Sequence, residues 1–153
     1  MPEARDKKPP ILVVDLVHKL EQRSLPVVRE QATIEEVIAA FADSVHTRLL
    51  YVIDDEGCLS GFIPLDRIAR HVLHSYLEPK FHPRHLLNMI SAENARHLMQ
   101  KDPVSALLDE EVETVLQRMI HSHVKEVVVV DESRRVVADL TLVDLLKYCT
   151  RSR

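Results

Sequence analysis

The chain has 153 residues, 46% apolar and 29% charged, a balance that fits one globular domain or two small halves sharing a core. Its 20 Lys and Arg against 24 Asp and Glu leave a net charge of −4, which argues against nucleic acid or an anionic membrane as the main partner. Two cysteines, Cys58 and Cys149, supply neither a disulfide framework nor zinc spacing, and two glycines are too few for a glycine-rich phosphate loop.

Residues 1–10 (MPEARDKKPP) lack an apolar signal core and read as a flexible lead. Ile11 to Leu20 carries apolar residues at 12, 13, 16, 17 and 20, a helical stripe. Leu25 to Val28 is a short extended piece, because Pro26 pushes its predecessor towards β. Thr33 and Glu36 form a T-x-x-E capping box, and the helix it opens presents Ile34, Val37, Ile38, Phe41 and Val45 to a core. Leu49 to Ile53 is a buried strand, Asp54 to Gly57 a turn, and Gly61 to Ile63 a second strand. Leu65, Ile68, Val72 and Leu73 then keep a helical period to about Tyr76.

Leu77 to Pro83 is a break with two prolines, and residues 78–90 read as the connector between halves 11–77 and 91–150. His85 to Ile90 is read as a helical turn, and Ser91 as the N-cap of a short helix reaching Met99. Val104 to Leu107 is extended. Val112, Val115, Leu116, Met119, Ile120 and Val124 form a second helical stripe. The valine run Val127 to Val130 is a strand buried on both faces, Asp131 to Ser133 a turn, and Val136 to Leu140 the next strand. Thr141 and Asp144 then stand at the mouth of an apolar helix with Leu142, Leu145 and Leu146.

The second half repeats the first. Asp131 stands 77 residues after Asp54, and Ala138 stands 77 after Gly61, whereas Val112 stands 78 after Ile34. A period this long, seen twice, marks a duplicated domain. The fold class is therefore α+β: two β-α-β-β-α units packed through their sheets about a pseudo-twofold axis. Neither unit alone buries both faces of so small a sheet.

YVIDDEGCLSGFIPLDRI and VVVVDESRRVVADLTLVDLL resemble the repeats of a tandem CBS (cystathionine β-synthase) domain pair, or Bateman module. The second copy keeps Asp131, Thr141, Asp144 and Leu145 in register, with Ala138 at the glycine position. The first keeps Asp54, Gly57 and Gly61, but Pro64 replaces the Thr and Arg67 the Asp. The resemblance spans about residues 12 to 149. It implies a regulatory or energy-sensing module; most such modules are attached to an enzyme or transporter, and this one is read as standing alone and non-catalytic, with two cysteines that fit a reducing cytoplasm. It would bind AMP, ADP, ATP or S-adenosylmethionine, form a homodimer and act on an effector protein; no cofactor is required.

The resemblance places a ribose at Asp144, whose carboxylate oxygens can accept from both ring hydroxyls. Thr141 stands beside it, with Asp139 and Leu140 on the strand that delivers them. It also places Leu25, Pro26 and Val27 near the adenine, Leu49 beside it, and Arg48 within reach of phosphates. The mirror cleft, with Val104, Ser105, Lys125, Glu126, Pro64 and Arg67, lacks the ribose carboxylate, so one site per chain is expected. T-x-x-D is also a capping box, so the alternative is a ligand-free dimerisation or docking module in which Thr141 and Asp144 only cap a helix. His71, His74, His82 and His85 could offer four imidazoles to zinc or nickel, but prolines between them leave the geometry unset, and no metal site is assigned. No nucleophile elbow or H-E-x-x-H motif points to catalysis.

Overall fold

The computed structural model describes residues 9–20, 23–77 and 94–151. The connector, the turn at 85–90, Ser91, His82 and His85 lie outside them. The elements run α1 (Val13–Lys19), β1 (Val27–Arg29), α2 (Ile34–Asp43), β2 (Leu49–Ile53), β3 (Leu59–Pro64) and α3 (Leu65–Leu77). The second half follows with α4 (Ala95–Leu98), β4 (Ser105–Leu107), α5 (Val112–His121), β5 (Glu126–Val130), β6 (Val136–Thr141) and α6 (Leu142–Arg151).

Each half builds one three-stranded sheet, ordered β1-β2-β3 and β4-β5-β6, with one parallel and one antiparallel pairing. The duplication is visible in register. Tyr51 faces Phe62 across the first hairpin, and Val128 faces Asp139 across the second, each 77 residues on. Both hairpins break register at the same place, between Val52 and Ile53 and between Val129 and Val130. The 78-residue offset upstream recurs as Val27 pairing Tyr51 and Ser105 pairing Val128.

Turn chemistry explains the hairpins. Asp54 Oδ1 accepts from the Glu56 and Cys58 amides at 2.9 Å each, and Asp131 Oδ1 accepts from Ser133 and Arg135 at 2.9 Å each. A carboxylate two residues before the amide it holds is a local turn-maker. The two turns also meet. The Leu59 amide donates to the Arg134 carbonyl at 2.9 Å, and the Val136 amide to the Gly57 carbonyl at 3.1 Å.

Side chains alternate along the strands and sort into three cores. Tyr51, Leu59, Val128 and Val130 pack between the two sheets, with Val27, Leu49, Phe62 and Val136 against them. Val28, Val37, Leu50, Val52, Ile63 and Ile68 fill the first helix-facing core. Val112, Val115, Met119, Val127, Val129, Leu140 and Leu145 fill the second.

The leading helices are exchanged. α1 puts Val13 and Leu16 into the second half's core, and α4 puts Ala95 and Leu98 into the first half's. Backbone bonds fix the exchange: Val13 donates to the Glu110 carbonyl at 2.9 Å, and Ala95 to the Ala32 carbonyl at 2.9 Å. Packing thus crosses the boundaries that the linear repeat suggests.

Several local expectations need correction. The short helix before β4 begins at Ala95 and is capped by Asn94, whose side chain accepts from the His97 amide. Ile120, Leu65, Leu73 and Leu146 are exposed although each fits a helical apolar period. Ile38 and Val45 are exposed too, and Val45 and Val124 lie beyond the ends of their helices. Such stripes are wider than the face one small sheet can cover.

Candidate functional site

The site grows from the end of β6. Alternation turns Ala138 and Leu140 into the second core, so Asp139 and Thr141 share the opposite face, towards the first half. Leu140 is fully buried in that core, so only its backbone could meet a ligand. Thr141 then caps α6. Its Oγ1 accepts from the Asp144 amide at 3.2 Å, and Asp144 Oδ2 accepts from the Thr141 amide at 2.8 Å. The reciprocal capping box exists as the sequence pattern suggests.

The first half contributes two residues that were not singled out from the sequence. Arg23 Nη2 donates to Asp144 Oδ2 at 2.9 Å and to the Asp139 carbonyl at 2.7 Å. It also stands 3.6 Å from Asp139 Oδ2. His46 Nε2 lies 2.8 Å from the same Asp139 Oδ2. These contacts span 93 to 121 residues of sequence, so no local pattern announces them. The cluster is withdrawn from solvent, with Asp139 5%, Asp144 13%, Arg23 19% and His46 21% exposed.

The two carboxyls feel this setting differently. Burial pushes Asp139 above the usual carboxylate range, and the Arg23 charge and the His46 hydrogen bond offset it only in part. Burial also acts against ionised Asp144. There the Arg23 hydrogen bond and the Thr141 amide and hydroxyl outweigh it, and the carboxyl is held below its ordinary value. Asp144 is thus an anion in place at neutral pH.

The remaining expected residues fall around this cluster with unequal roles. Pro26 is buried, and its carbonyl accepts from the Tyr51 amide at 2.8 Å. Leu25 is exposed, one position before the end of the Arg23 to Pro26 stretch that enters β1. Val27 and Leu49 pack between the sheets. Arg48 is exposed, and its amide donates to Glu126 Oε1 at 3.0 Å across the two halves. The Tyr51 hydroxyl is buried without a partner among the described residues; burial first, then Glu126 and Asp139, raise its pKa well above the ordinary value.

The mirror cleft is built otherwise. Phe62, Pro64 and Arg67 stand where Asp139, Thr141 and Asp144 stand in the second half, each 77 residues earlier. Gln100 pairs with Phe62 through two backbone bonds, 2.8 and 2.9 Å, closing the edge of β3. Arg67 Nε donates to the Leu98 carbonyl. These three positions put a cation and two apolar side chains where the second half has two carboxylates and a hydroxyl.

Among the described residues no group of His, Cys, Asp and Glu could hold a metal ion, and no helix is long and apolar enough to cross a membrane. An open groove of about 640 Å³ beside β4 and α5 holds the Arg118–Glu110 pair, whose two bonds of 2.8 Å satisfy both ions, so its charges are already matched.

Two small sheets packed face to face, exchanged leading helices and one carboxylate-bearing cleft define a duplicated α+β pair. The sequence profile of the CBS domain matches residues 13–74 and 95–151, and the chain belongs to the CBS domain family as a tandem pair. Solved structures share the fold. CBSX2 in complex with AMP superposes with a TM-score of 0.73 at 15% identity, covering 93% of this chain and 98% of that one. The CBS domain pair of protein MJ0100, in complex with 5′-methylthioadenosine and S-adenosyl-L-methionine, gives 0.69 at 21%, covering 95% and 100%. A CBS domain-containing protein from Thermotoga maritima gives 0.70 at 28%, covering 95% and 99%. No curated protein sequence matches the chain.

Proposed function

We propose that this CBS pair is a regulatory module that binds one adenosyl ligand per chain, AMP, ADP, ATP or S-adenosylmethionine, in the cleft between its halves. The observation that carries the reading is the ionised, partly buried Asp144 at the head of α6, beside Thr141 and facing the Arg23 to Val27 stretch of the other half. A carboxylate offers two oxygens to a ribose diol, and a helix start favours anions nearby. Pro26, Val27 and Leu49 form the side on which an adenine would lie, with Leu25 and the backbone of Asp139 and Leu140 at its margin. Arg48 stands exposed at the mouth, able to approach phosphates. The AMP- and S-adenosylmethionine-bound relatives support this ligand class.

Ligand binding across the halves would change how they sit, and an effector would read that change; the ligand must favour one state over the other. The module works in the cytoplasm as a homodimer. Leu65 and Leu73 on α3 and Val143 and Leu146 on α6 are exposed apolar residues on the helices that would pair. A regulatory, non-catalytic role fits the family.

A second reading has one observation in its favour. The capping box and the Arg23 ion pair are complete without ligand, as a structural docking module would require. A thermal-shift series with AMP, ADP, ATP and S-adenosylmethionine separates the two. A rise in melting temperature that grows with concentration for at least one of them supports sensing. No shift with any of the four at millimolar concentration leaves the docking module.

A further inference from the structure

We infer that Arg23 is a latch on the ribose carboxylate, and that its release makes the cleft select adenosyl ligands that carry a phosphate. The inference rests on the nucleotide reading above and adds a gate and a selectivity to it.

The geometry begins with lone pairs. Asp144 Oδ2 accepts from the Thr141 amide at 2.8 Å and from Arg23 Nη2 at 2.9 Å. One carboxylate oxygen has two lone-pair sites, so both are used. A diol held across both oxygens needs a free site on each. One of the two donors must leave. The Thr141 amide belongs to the backbone where β6 becomes α6, and it cannot withdraw without unwinding the helix start. Arg23 is a side chain arriving from the other half, and rotation of its stem frees Oδ2.

Release leaves a guanidinium in a cleft where it was only 19% exposed, with its carboxylate taken. Asp139 offers it little. The Asp139 oxygen that faces it, Oδ2, is 3.6 Å away and already bonded to His46 at 2.8 Å. A released Arg23 therefore needs a new anion. Both of its bonds to described residues run through Nη2, so the guanidinium presents further donors in a fixed fork. A phosphate accepts such a fork in two parallel bonds. Adenosine brings no anion, and S-adenosylmethionine sets a sulfonium where the 5′-phosphate would stand, with its carboxylate three carbons beyond. The ligand class is accordingly a phosphorylated adenosine. Arg23 sits only two residues before Leu25, so its movement would also shift the stretch that enters β1.

Calorimetric titration of the full chain and of Arg23→Met with AMP and with adenosine tests this, with melting curves of both proteins recorded alongside. The parent should bind AMP at least tenfold tighter than adenosine. Arg23→Met should bind adenosine as well as the parent or better, because the latch is gone, and should lose at least tenfold for AMP. Equal affinities for the two ligands in the parent, or an equal loss for both in Arg23→Met, overturns the latch while leaving nucleotide binding intact. Absence of binding by parent and variant alike overturns the nucleotide reading and the latch with it. Should Arg23→Met fail to fold, Arg23→Lys decides. A point charge in place of the fork must shrink the AMP-to-adenosine ratio, and a ratio equal to the parent's contradicts the selection.

Discussion

The two clefts of this molecule descend from one plan and have been finished in opposite ways. In the second half β6 ends on Asp139, Thr141 and Asp144, and side chains from the other half, Arg23 and His46, come to meet them. In the first half the same positions are Phe62, Pro64 and Arg67, and the backbone of Gln100 pairs with Phe62. The difference extends to Gly61. A Cβ there would stand 2.5 Å from the Gln100 carbonyl oxygen, whereas its counterpart in the second half, Ala138, carries a methyl into the core. A duplicated fold can thus keep both of its cores while the residues that border its two clefts diverge.

The exchanged helices provide the largest way to sharpen the comparison. Leu16 belongs to α1 yet fills the second half's core, and Leu98 belongs to α4 yet fills the first half's. Leu16→Ala should cost about 2–5 kcal/mol in denaturant unfolding, the range for a buried leucine. Amide exchange should accelerate first in β5 and β6 for Leu16→Ala, and first in β2 and β3 for Leu98→Ala. Acceleration in the variant's own half instead would break the exchange.

Gly61→Ala tests how firmly the Gln100 backbone is held against the edge of β3. The added methyl meets the Gln100 backbone as well as the Met99 side chain; the side chain can turn away, but the pairing with Gln100 must shift, at a cost of roughly 1–3 kcal/mol. Stability equal to the parent's would mean that the Gln100 edge gives way freely, and the two clefts would be less different than described.

A smaller effect separates the two carboxyls by pH. Asp139 is raised in the folded chain by burial, so its contribution to stability is fully present below its unfolded value near 3.9 and is lost as pH rises through the folded value. Asp144 is lowered on balance, so its contribution is present above its unfolded value and is lost as pH falls through the folded one. The parent should therefore lose ground to Asp139→Asn between pH 4 and pH 7. Its advantage over Asp144→Asn should already be present from pH 4 to pH 7 and should shrink as pH falls below 4. Melting curves of the three proteins from pH 3 to pH 7 check both signs, and parallel behaviour of the variants would contradict the assignment.

Much of the fold was legible because its determinants are local. Four consecutive valines make a buried strand, Asp54 and Asp131 make turns by bonding amides two residues on, and Thr33 with Glu36 makes a cap. A constant offset of 77 between unlike residues exposed the duplication. What was not legible is long-range. A helical stripe shows that α1 has an apolar face, but not which half receives it. The same period cannot tell Leu145, which is buried, from Leu146, which is exposed. Within the site, Thr141 and Asp144 were visible as a pattern. Arg23 and His46 were not, since an arginine before a proline stretch and a histidine after a helix carry no local mark of a carboxylate 93 to 121 residues away.

On the proposed reading, one cleft per chain binds an adenine nucleotide through Asp144. Calorimetric titration of AMP into the parent, Asp144→Ala and Arg67→Ala tests it most directly, because stoichiometry and affinity are read together. Hydrogen bonds to a charged group are worth about 1.5–3 kcal/mol, and each 1.4 kcal/mol is a factor of ten. The parent should bind close to one AMP per chain. Arg67→Ala should do the same with almost unchanged affinity, and Asp144→Ala should lose roughly ten- to a hundredfold. An Asp144→Ala protein that melts about 1 kcal/mol less stable yet binds AMP as the parent does would show a helix cap and nothing more; two AMP per chain in the parent would show that the mirror cleft binds as well.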